Sequence, residues 1–361
     1  KAKGAVHEEN YGFERPRWFA KAGVAQEDHY AFTRTAVDDL VHSEVKAVRT
    51  RVGVIDVTAF AKVEVSGPDA YALLDRLTAN RMPQKTGSIA LTHMLNRRGR
   101  IELETTVVRM ANDRYYLVCA AFFEQRLLDH LAQQRNGEDI TVIALSEAWS
   151  ALAINGPRSR DVLAACTNAD LSNAGFRWLS AQEITLAGHT VWALRMSYAG
   201  ELGWELHMPN AACLDVYKAL MKAGEAHRII DYGSFAMNVM RMEKAFKGAG
   251  ELTNEVTLAE ADVLRFARRD KEYLGQEKTL NTDMPWVCAY LAIEADGKTD
   301  GHGGEAIIHD GLIVGATSSI VYSPIAEKIL AFAYIKPEAA APGTALDVVI
   351  HGVARAAQVL G

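Results

Sequence analysis

The sequence predicts an α+β fold with mainly antiparallel strands and a separate C-terminal β-barrel or sandwich. Strand-like segments follow one another through short turns, as in the hairpin expected around Asn96-Arg-Arg-Gly99, instead of alternating regularly with helices. After about residue 285, only strands and glycine- or proline-containing turns are indicated. A length of 361 residues suits two or three domains.

The individual elements follow from periodicity and turn residues. Residues 1–30 show no clear periodicity, and we expect Glu14-Arg-Pro-Arg-Trp-Phe19 to be a connector that packs by its aromatic rings. Helical spacing predicts helices at 31–50, 68–77, 122–134, 158–165, 213–223 and 231–246. Strands are expected at 52–57, 61–66, 91–95, 101–109, 115–119, 151–154, 182–186, 190–197 and 203–208. The tail predicts strands at 287–294, 306–309, 312–318, 329–335 and 345–350.

Composition excludes several classes of function. The net charge of −6 at pH 7 gives no global basic field, so a nucleic-acid partner is not expected. The four cysteines are scattered without metal-ligand spacing, which predicts no metal site and a reducing compartment. No apolar run is long enough to span a membrane, so no membrane partner is expected and we expect a cytoplasmic protein, or a mitochondrial-matrix protein if the source is eukaryotic. The sequence also lacks a GxGxxG after a strand, a P-loop, HExxH and GxSxG.

One candidate site residue lies in a strand that follows a glycine turn. Gly200 and Gly203 predict the turn, and the strand then runs to Met208. If alternate residues from Trp204 enter the core, Glu205 points across the sheet. A carboxylate there can accept two parallel N–H bonds from an amino-pyrimidinone edge, although a solvated strand residue is the open alternative.

Two further segments carry candidate side chains. Arg241 lies on the predicted helix 231–246, and its planar fork would suit a pterin carbonyl or a folate carboxylate; an ordinary charged face is the alternative. Glu102 and Glu104 share one face of the strand after Gly99. One of them would serve as a buried acid beside a reacting nitrogen, unless both are exposed edge-strand charges.

In their order and spacing, these segments resemble the aminomethyltransferase family, whose best-known member is the T protein of the glycine cleavage system. In particular, the sequence resembles the C-terminal folate-binding domains of dimethylglycine and sarcosine dehydrogenases. The motifs that carry the resemblance are Val52-Gly-Val-Ile-Asp-Val57, Gly99-Arg-Ile-Glu-Leu-Glu104, Ser197-Tyr-Ala-Gly-Glu-Leu-Gly-Trp-Glu205 and Met237-Asn-Val-Met-Arg-Met-Glu-Lys244.

The resemblance implies a three-domain ring around a central folate site, with the last domain a β-barrel. We expect residues 1–280 to form an α+β folate-binding region of two interleaved subdomains. These subdomains comprise roughly 1–55 with 140–230, and 56–139 with 231–280. Residues 281–361 would form the barrel.

The resemblance also implies roles for individual residues. Tyr198 matches the family tyrosine beside the pterin, with a role in binding and catalysis. Glu205 matches the glutamate that pairs with the pterin edge, which leaves Glu201 a role in the turn. Arg241 matches the arginine on the following helix. Glu104 falls where many members have a catalytic aspartate, so its carboxylate reaches one methylene further.

The implied chemistry is tetrahydrofolate-dependent transfer of a methyl or methylene group from a small methylated amine or related compound. Since the chain lacks a dinucleotide fingerprint, we expect a flavoprotein partner or a fused flavin domain to perform any oxidation. One alternative is a stand-alone folate-dependent demethylase of an S- or O-methyl compound. Another is a non-catalytic folate-binding protein, although Glu272 stands where the iron–sulfur-assembly branch of the superfamily carries a cysteine.

Overall fold

The computed structural model describes residues 2–27, 31–281 and 283–360. The predicted domain ranges begin at Lys1 and end at Gly361, which both lie outside the described residues. Before residue 285 the described strands are β1 Ala5–Asn10, β2 Phe13–Phe19, β3 Gly53–Asp56, β4 Ala61–Ser66, β5 Ile89–Leu95, β6 Ile101–Ala111, β7 Arg114–Cys119, β8 Thr141–Ala144, β9 Trp149–Asn155, β10 Ala181–Leu186, β11 His189–Leu194, β12 Gly203–Pro209 and β13 Ile230–Asp231. The α-helices are α1 Ala36–Thr50, α2 Ala70–Leu77, α3 Glu124–Gln134, α4 Ser159–Ala164, α5 Asn210–Gly224, α6 Ser234–Glu243 and α7 Gln276–Thr279.

A six-stranded sheet has the order β10-β11-β12-β9-β3-β13, antiparallel except between β13 and β3. One face packs on α4 and α5, and this core contains Trp204, Leu206 and Met208, each without solvent exposure. The opposite face packs on α1, α6 and the β1–β2 hairpin. The predicted alternation along β12 is therefore present, because its apolar side chains all enter the α4/α5 core.

A five-stranded antiparallel sheet has the order β5-β6-β7-β4-β8. The predicted hairpin around residues 96–99 joins β5 to β6, and Gly99 has a φ of +74° in its turn. Apolar residues of α2 and α3 cover one face of this sheet.

Helix α1 begins later than the sequence predicted. Thr35 caps it, since its side chain accepts a hydrogen bond from Val37 N at 3.2 Å while Asp38 accepts one from Thr35 N at 2.6 Å. This capping box satisfies amide groups at the first turn, which fixes the start of the helix at Ala36.

The C-terminal segment is a closed barrel with the strand order β14-β17-β16-β15-β18-β19. Its strands are β14 Val287–Ile293, β15 Ala306–His309, β16 Leu312–Ser323, β17 Lys328–Ile335, β18 Ala345–Ile350 and β19 Val353–Val359. Of the two predicted architectures, barrel and sandwich, the structure has the barrel. The last strand, β19, pairs with β14 and closes the barrel, and it was not predicted from the sequence.

Two segments lie differently from the predicted subdomain ranges. Strand β8 pairs with β4 in the five-stranded sheet, whereas the predicted range 140–230 placed it with the first subdomain. Helix α6 packs with α1 and β2, whereas the predicted range 231–280 placed it with the second subdomain. The interleaved division itself remains a proposal.

Within the described ranges, no helix has the length and apolar character needed to cross a membrane.

Candidate functional site

A cavity of about 440 Å³ is lined by the β1–β2 hairpin, strands β3, β9 and β12, and helix α6. This volume falls in the range of about 300–1,000 Å³ that is typical of small-molecule sites. Of the four residues predicted from the sequence, Tyr198, Glu205 and Arg241 line the cavity. Glu104 is not among its lining residues.

Glu205 faces the cavity from the middle of β12. Its backbone lies between Ala153 of β9 and Leu194 of β11, which fixes the position of its Cα in the sheet. The carboxylate oxygen Oε2 lies 3.3 Å from Nε2 of His207. Among the described residues, Oε1 receives no hydrogen bond, and the Glu205 side chain is 18% exposed. One carboxylate oxygen is thus available to a ligand.

Behind Glu205, a second hydrogen bond extends away from the cavity. Nδ1 of His207 lies 3.0 Å from the hydroxyl of Tyr116, which belongs to β7 of the other sheet. Both side chains are buried. Burial raises the pKa of the Tyr116 hydroxyl well above its usual value, so this group stays protonated.

The turn before β12 and the first position of that strand each require glycine. Gly200 has a φ of +69°, a conformation that most side chains disfavour. At Gly203, a Cβ would overlap the side chain of Asn155. Glu201 in this turn pairs with Arg49, with 2.9 Å between Oε1 and Nη1, and it is not a lining residue of the cavity. This agrees with the structural role expected for Glu201.

Tyr198 presents its ring to the cavity while its hydroxyl is engaged elsewhere. The hydroxyl donates to the carbonyl oxygen of Lys247 at 3.0 Å, and the ring stacks on Phe246 with centroids 6.2 Å apart. Burial, and to a lesser degree the charges of Glu104 and Glu251, raise the pKa of Tyr198. Tyr198 therefore stays neutral and presents its ring face to the cavity, while its hydroxyl hydrogen is already bound to Lys247 O.

The Arg241 guanidinium is buried and mostly occupied by partners from the protein. Nε donates to Asn238 Oδ1 at 2.9 Å, Nη1 donates to Phe246 O and to Glu251 Oε2 at 3.0 and 3.1 Å, and Nη2 donates to Ser319 Oγ at 2.8 Å. Of the five N–H donors of an arginine, one on Nη2 is left without a partner among the described residues. Arg241 therefore ties α6 to the barrel and can offer a ligand one hydrogen bond.

Glu104 lies on β6 opposite His93 of β5. Its Oε1 is 3.5 Å from Nε2 of His93, and its side chain is 30% exposed. His93 is fully buried, and among the described residues neither of its ring nitrogens has a hydrogen-bond partner. The neighbouring candidate, Glu102, accepts a hydrogen bond from Asn96 at 2.9 Å and is held at the hairpin.

The cavity is also lined by polar residues that the sequence did not single out as site residues, among them Asp56, Asn155 and Glu8. Asp56 ends β3, and its Oδ1 accepts a hydrogen bond from Thr58 N at 2.8 Å. Asn155 ends β9 and accepts a hydrogen bond from Ser197 Oγ at 2.7 Å. Glu8 lies opposite Arg15 in the hairpin. Asp56 belongs to the motif at residues 52–57, and that motif was the sequence feature that could have identified Asp56 as a site residue.

No group of three or more His, Cys, Asp or Glu side chains suited to a metal ion occurs within residues 2–27, 31–281 and 283–360. The side chains that line the cavity supply carboxylates, amides, hydroxyls, two guanidiniums and aromatic rings. Such a set can bind a polar heterocycle and stabilise a positive charge.

Known proteins similar to this chain agree with this architecture. A family model described as the GCVT N-terminal domain matches residues 1–271, and one described as the glycine cleavage T-protein C-terminal barrel domain matches residues 288–361. The mitochondrial dimethylglycine dehydrogenase of Mus musculus is 34% identical over 351 residues, which cover 94% of this chain and 40% of the relative. The mitochondrial sarcosine dehydrogenase of Homo sapiens is 30% identical over 398 residues, which cover 97% of this chain and 43% of the relative. The chain thus spans about two fifths of the length of these relatives.

One solved structure shares the whole fold. It is the crystal structure of the glycine cleavage system aminomethyltransferase T from Bartonella henselae, which matches this chain with a TM-score of 0.85 at 20% sequence identity. The match covers 100% of this chain and 94% of the Bartonella henselae chain. The likeness confirms the predicted α+β fold of the aminomethyltransferase type, with antiparallel sheets and a C-terminal β-barrel.

Proposed function

This chain belongs to the glycine cleavage T-protein family, and from that premise we propose that it transfers a one-carbon unit from a small methylated amine to tetrahydrofolate. The observation that carries the proposal is the carboxylate of Glu205, which lines the cavity with Oε1 unpaired. A partly exposed carboxylate with a free oxygen can accept an N–H donor from a ligand, and the amino-pyrimidinone edge of a pterin supplies two.

The residues around the cavity fit tetrahydrofolate in kind and in size. Tyr198 offers a ring face beside the carboxylate of Glu205, and Arg241 keeps one N–H for a carbonyl or carboxylate. The cavity of about 440 Å³ is large enough for a compact ligand of this class. When bound, tetrahydrofolate supplies the nitrogen atoms N5 and N10 that accept the carbon.

The protein groups would orient and shield the reaction. Glu205 would fix the pterin edge, and the neutral ring of Tyr198 would set the plane of the heterocycle. Apolar lining residues, among them Ile55, Ala153 and Phe235, would keep water from an electrophilic carbon. Holding two reactants in register accounts for a large part of such rate enhancements.

Glu104 would act as the acid–base group and stabilise positive charge on the amine. Its carboxylate is partly exposed and lies outside the lining, so a substrate must extend beyond the cavity to meet it. The fully buried His93, 3.5 Å from Oε1, would limit the directions in which this carboxylate can turn.

The names of the relatives point to the substrate class. Dimethylglycine and sarcosine dehydrogenases carry N-methylated amino acids in their names, and this chain would serve a compound of that class. Oxidation of the N-methyl group would belong to a flavoprotein partner or to a fused flavin domain. The compartment would be the cytoplasm, or the mitochondrial matrix in a eukaryote.

The function is tested by incubating the protein with tetrahydrofolate and a panel of methylated amines and sulfonium compounds, with and without a flavin-dependent amine dehydrogenase. Mass spectrometry then detects methyl- or methylene-tetrahydrofolate. Product from an amine only in the presence of the dehydrogenase supports the proposal. Product from a sulfonium compound without the dehydrogenase identifies a stand-alone demethylase. Micromolar folate binding without product from any donor identifies a binding protein and contradicts the transferase.

A further inference from the structure

We propose that Tyr116 and His207 form a hydrogen-bonded relay that positions the carboxylate of Glu205 toward the cavity. Its consequence for ligands rests on the proposed function, because it concerns the carboxylate that would bind the pterin edge. The relay itself consists of side chains in the free protein. Tyr116 and His207 are both absent from the lining of the cavity, so any effect they have on a ligand must act through Glu205.

Tyr116, His207 and Glu205 are connected by two consecutive hydrogen-bond contacts. The Tyr116 hydroxyl is 3.0 Å from Nδ1 of His207, and Nε2 of His207 is 3.3 Å from Oε2 of Glu205. The two rings meet edge to face, with centroids 5.5 Å apart and an interplanar angle of 88°. Tyr116 is 2% exposed and His207 is 1% exposed, so water does not compete for the bond between them.

The partners fix the tautomer of the imidazole. Within the described residues, the Tyr116 hydroxyl has no hydrogen-bond partner other than His207. Its hydrogen must therefore go to Nδ1, because an unpaired buried hydroxyl is costly. A neutral imidazole that accepts at Nδ1 carries its hydrogen on Nε2, and that N–H points at Glu205 Oε2. The opposite tautomer would set a ring lone pair against a carboxylate oxygen.

The relay also links the two large sheets. Tyr116 belongs to β7 of the five-stranded sheet, whereas His207 and Glu205 lie on the same side of β12 in the six-stranded sheet. The rings are fixed by packing, since Tyr116 is buried in a cluster with Val118 and Leu194. The packing of the two sheets thus places Tyr116 at Nδ1 of His207 and leaves the Nε2 hydrogen to be donated to Glu205.

For ligand binding, the two carboxylate oxygens of Glu205 therefore have different roles. His207 occupies one acceptor position of Oε2, and it leaves Oε1 and the remaining position of Oε2 for the ligand. A carboxylate held in this way loses less rotational freedom when it binds, and preorganisation of this kind raises affinity. His207 and Tyr116 are therefore positioning residues for Glu205.

The free protein provides the first test. Nitrogen-15 spectra of histidine-labelled protein at pH 7.5, with the His207 signals assigned by their loss in His207→Gln, report which ring nitrogen is protonated. We expect Nε2 protonated and Nδ1 unprotonated, and we expect Tyr116→Phe to give a mixture of tautomers. A wild-type signal from the opposite tautomer, or from a mixture, overturns the relay whatever the chain binds.

The second test measures tetrahydrofolate affinity by calorimetric titration. His207→Leu removes the donor at nearly constant size, and we expect about tenfold weaker binding because a hydrogen bond to a charged group is lost. His207→Gln retains an N–H donor and should recover affinity to within about threefold. Folding of each variant is checked by its thermal melting curve, and Tyr116→Phe, which removes a single oxygen atom, provides a milder variant.

The two tests separate the relay from the proposed function. Failure of the wild-type protein to bind tetrahydrofolate contradicts the function, and the tautomer then decides the relay alone. Equal affinities of wild type and His207→Leu, with folding intact, contradict the positioning role even if the function stands.

Discussion

Nη1 of Arg241 lies 3.1 Å from Oε2 of Glu251, and the carboxylate of Glu251 has no solvent exposure. Glu251 also accepts hydrogen bonds from Gly248 N and from Ser318 Oγ, both at 2.8 Å. Arg241 thus neutralises a fully buried charge at the junction of α6 with the barrel. The arginine that the sequence proposed as a ligand contact is at the same time a structural residue.

We predict that Arg241→Ala destabilises the fold by about 3–5 kcal/mol, because it leaves the Glu251 carboxylate buried without a counter-ion. Urea denaturation measures the loss, with the exposed Arg97→Ala as the matched control. Arg241→Met combined with Glu251→Leu should recover much of it. An Arg241→Ala variant as stable as the control would show that the pair has no structural role.

A second, partly buried arginine holds the turn of residues 198–201 in place. Arg49 donates to Glu243 Oε2 and to Glu201 Oε1, both at 2.9 Å, and to the carbonyl oxygens of Ala199 and Met240. We predict that Arg49→Met lowers the free energy of unfolding by about 3 kcal/mol. Lys46→Met on the exposed side of the same helix should change it by less than about 0.5 kcal/mol. Similar losses in both variants would contradict this role.

Glu44 gives the fold a pH dependence. It is buried, accepts hydrogen bonds from Phe19 N and Gly233 N at 2.9 Å, and burial raises its pKa to about 7. Between the unfolded pKa of about 4.5 and the folded pKa of about 7, the folded state holds a proton that the unfolded state has released. The contribution of Glu44 to stability is therefore fully present below the lower value and lost as pH rises through the upper one.

We accordingly predict that wild type loses about 3 kcal/mol relative to Glu44→Gln as the pH rises from 4.5 to 7.5. Urea denaturation of both proteins across this range isolates the effect of Glu44 from that of other titrating groups. A constant difference between the two proteins would mean that Glu44 does not titrate in this range.

Glu104→Gln tests the proposed acid. Once a donor is known, we expect this variant to bind tetrahydrofolate normally and to transfer the carbon about a hundred- to ten-thousand-fold more slowly, because it cannot move a proton. Glu102→Gln on the same strand is the matched control and should retain its rate. Single-turnover rates with saturating folate make the comparison, and an unchanged rate in Glu104→Gln would remove Glu104 from the mechanism.

Local patterns allowed much of the fold to be predicted. The two-residue alternation placed Trp204 in the core and Glu205 on the other face, because strand geometry is set by adjacent residues. The hairpin β1–β2 lacked such a pattern, since charged residues such as Glu8 and Arg15 occupy its paired positions. Strand β19 is rich in alanine, which has low strand propensity, and its pairing with β18 and β14 in the barrel stabilises it.

Residues of the candidate site could be predicted only where they lie within a recognisable sequence motif. The spacing of Tyr198 from Glu205 was visible in the sequence, but their surroundings were not. The contact of Tyr116 with His207 joins positions 91 residues apart, and that of Arg49 with Glu243 joins positions 194 apart. Such partners depend on how the sheets and helices pack, which no local periodicity encodes.

The cavity at Glu205 is the proposed binding site of tetrahydrofolate. Its most direct test is calorimetric titration of wild type, Glu205→Ala and Glu183→Ala, a matched change at an exposed strand position of the same sheet. We predict one bound tetrahydrofolate per wild-type chain, at least tenfold weaker binding by Glu205→Ala, and no change in Glu183→Ala. Absence of binding by wild type, or equal affinity in Glu205→Ala, would contradict the claim.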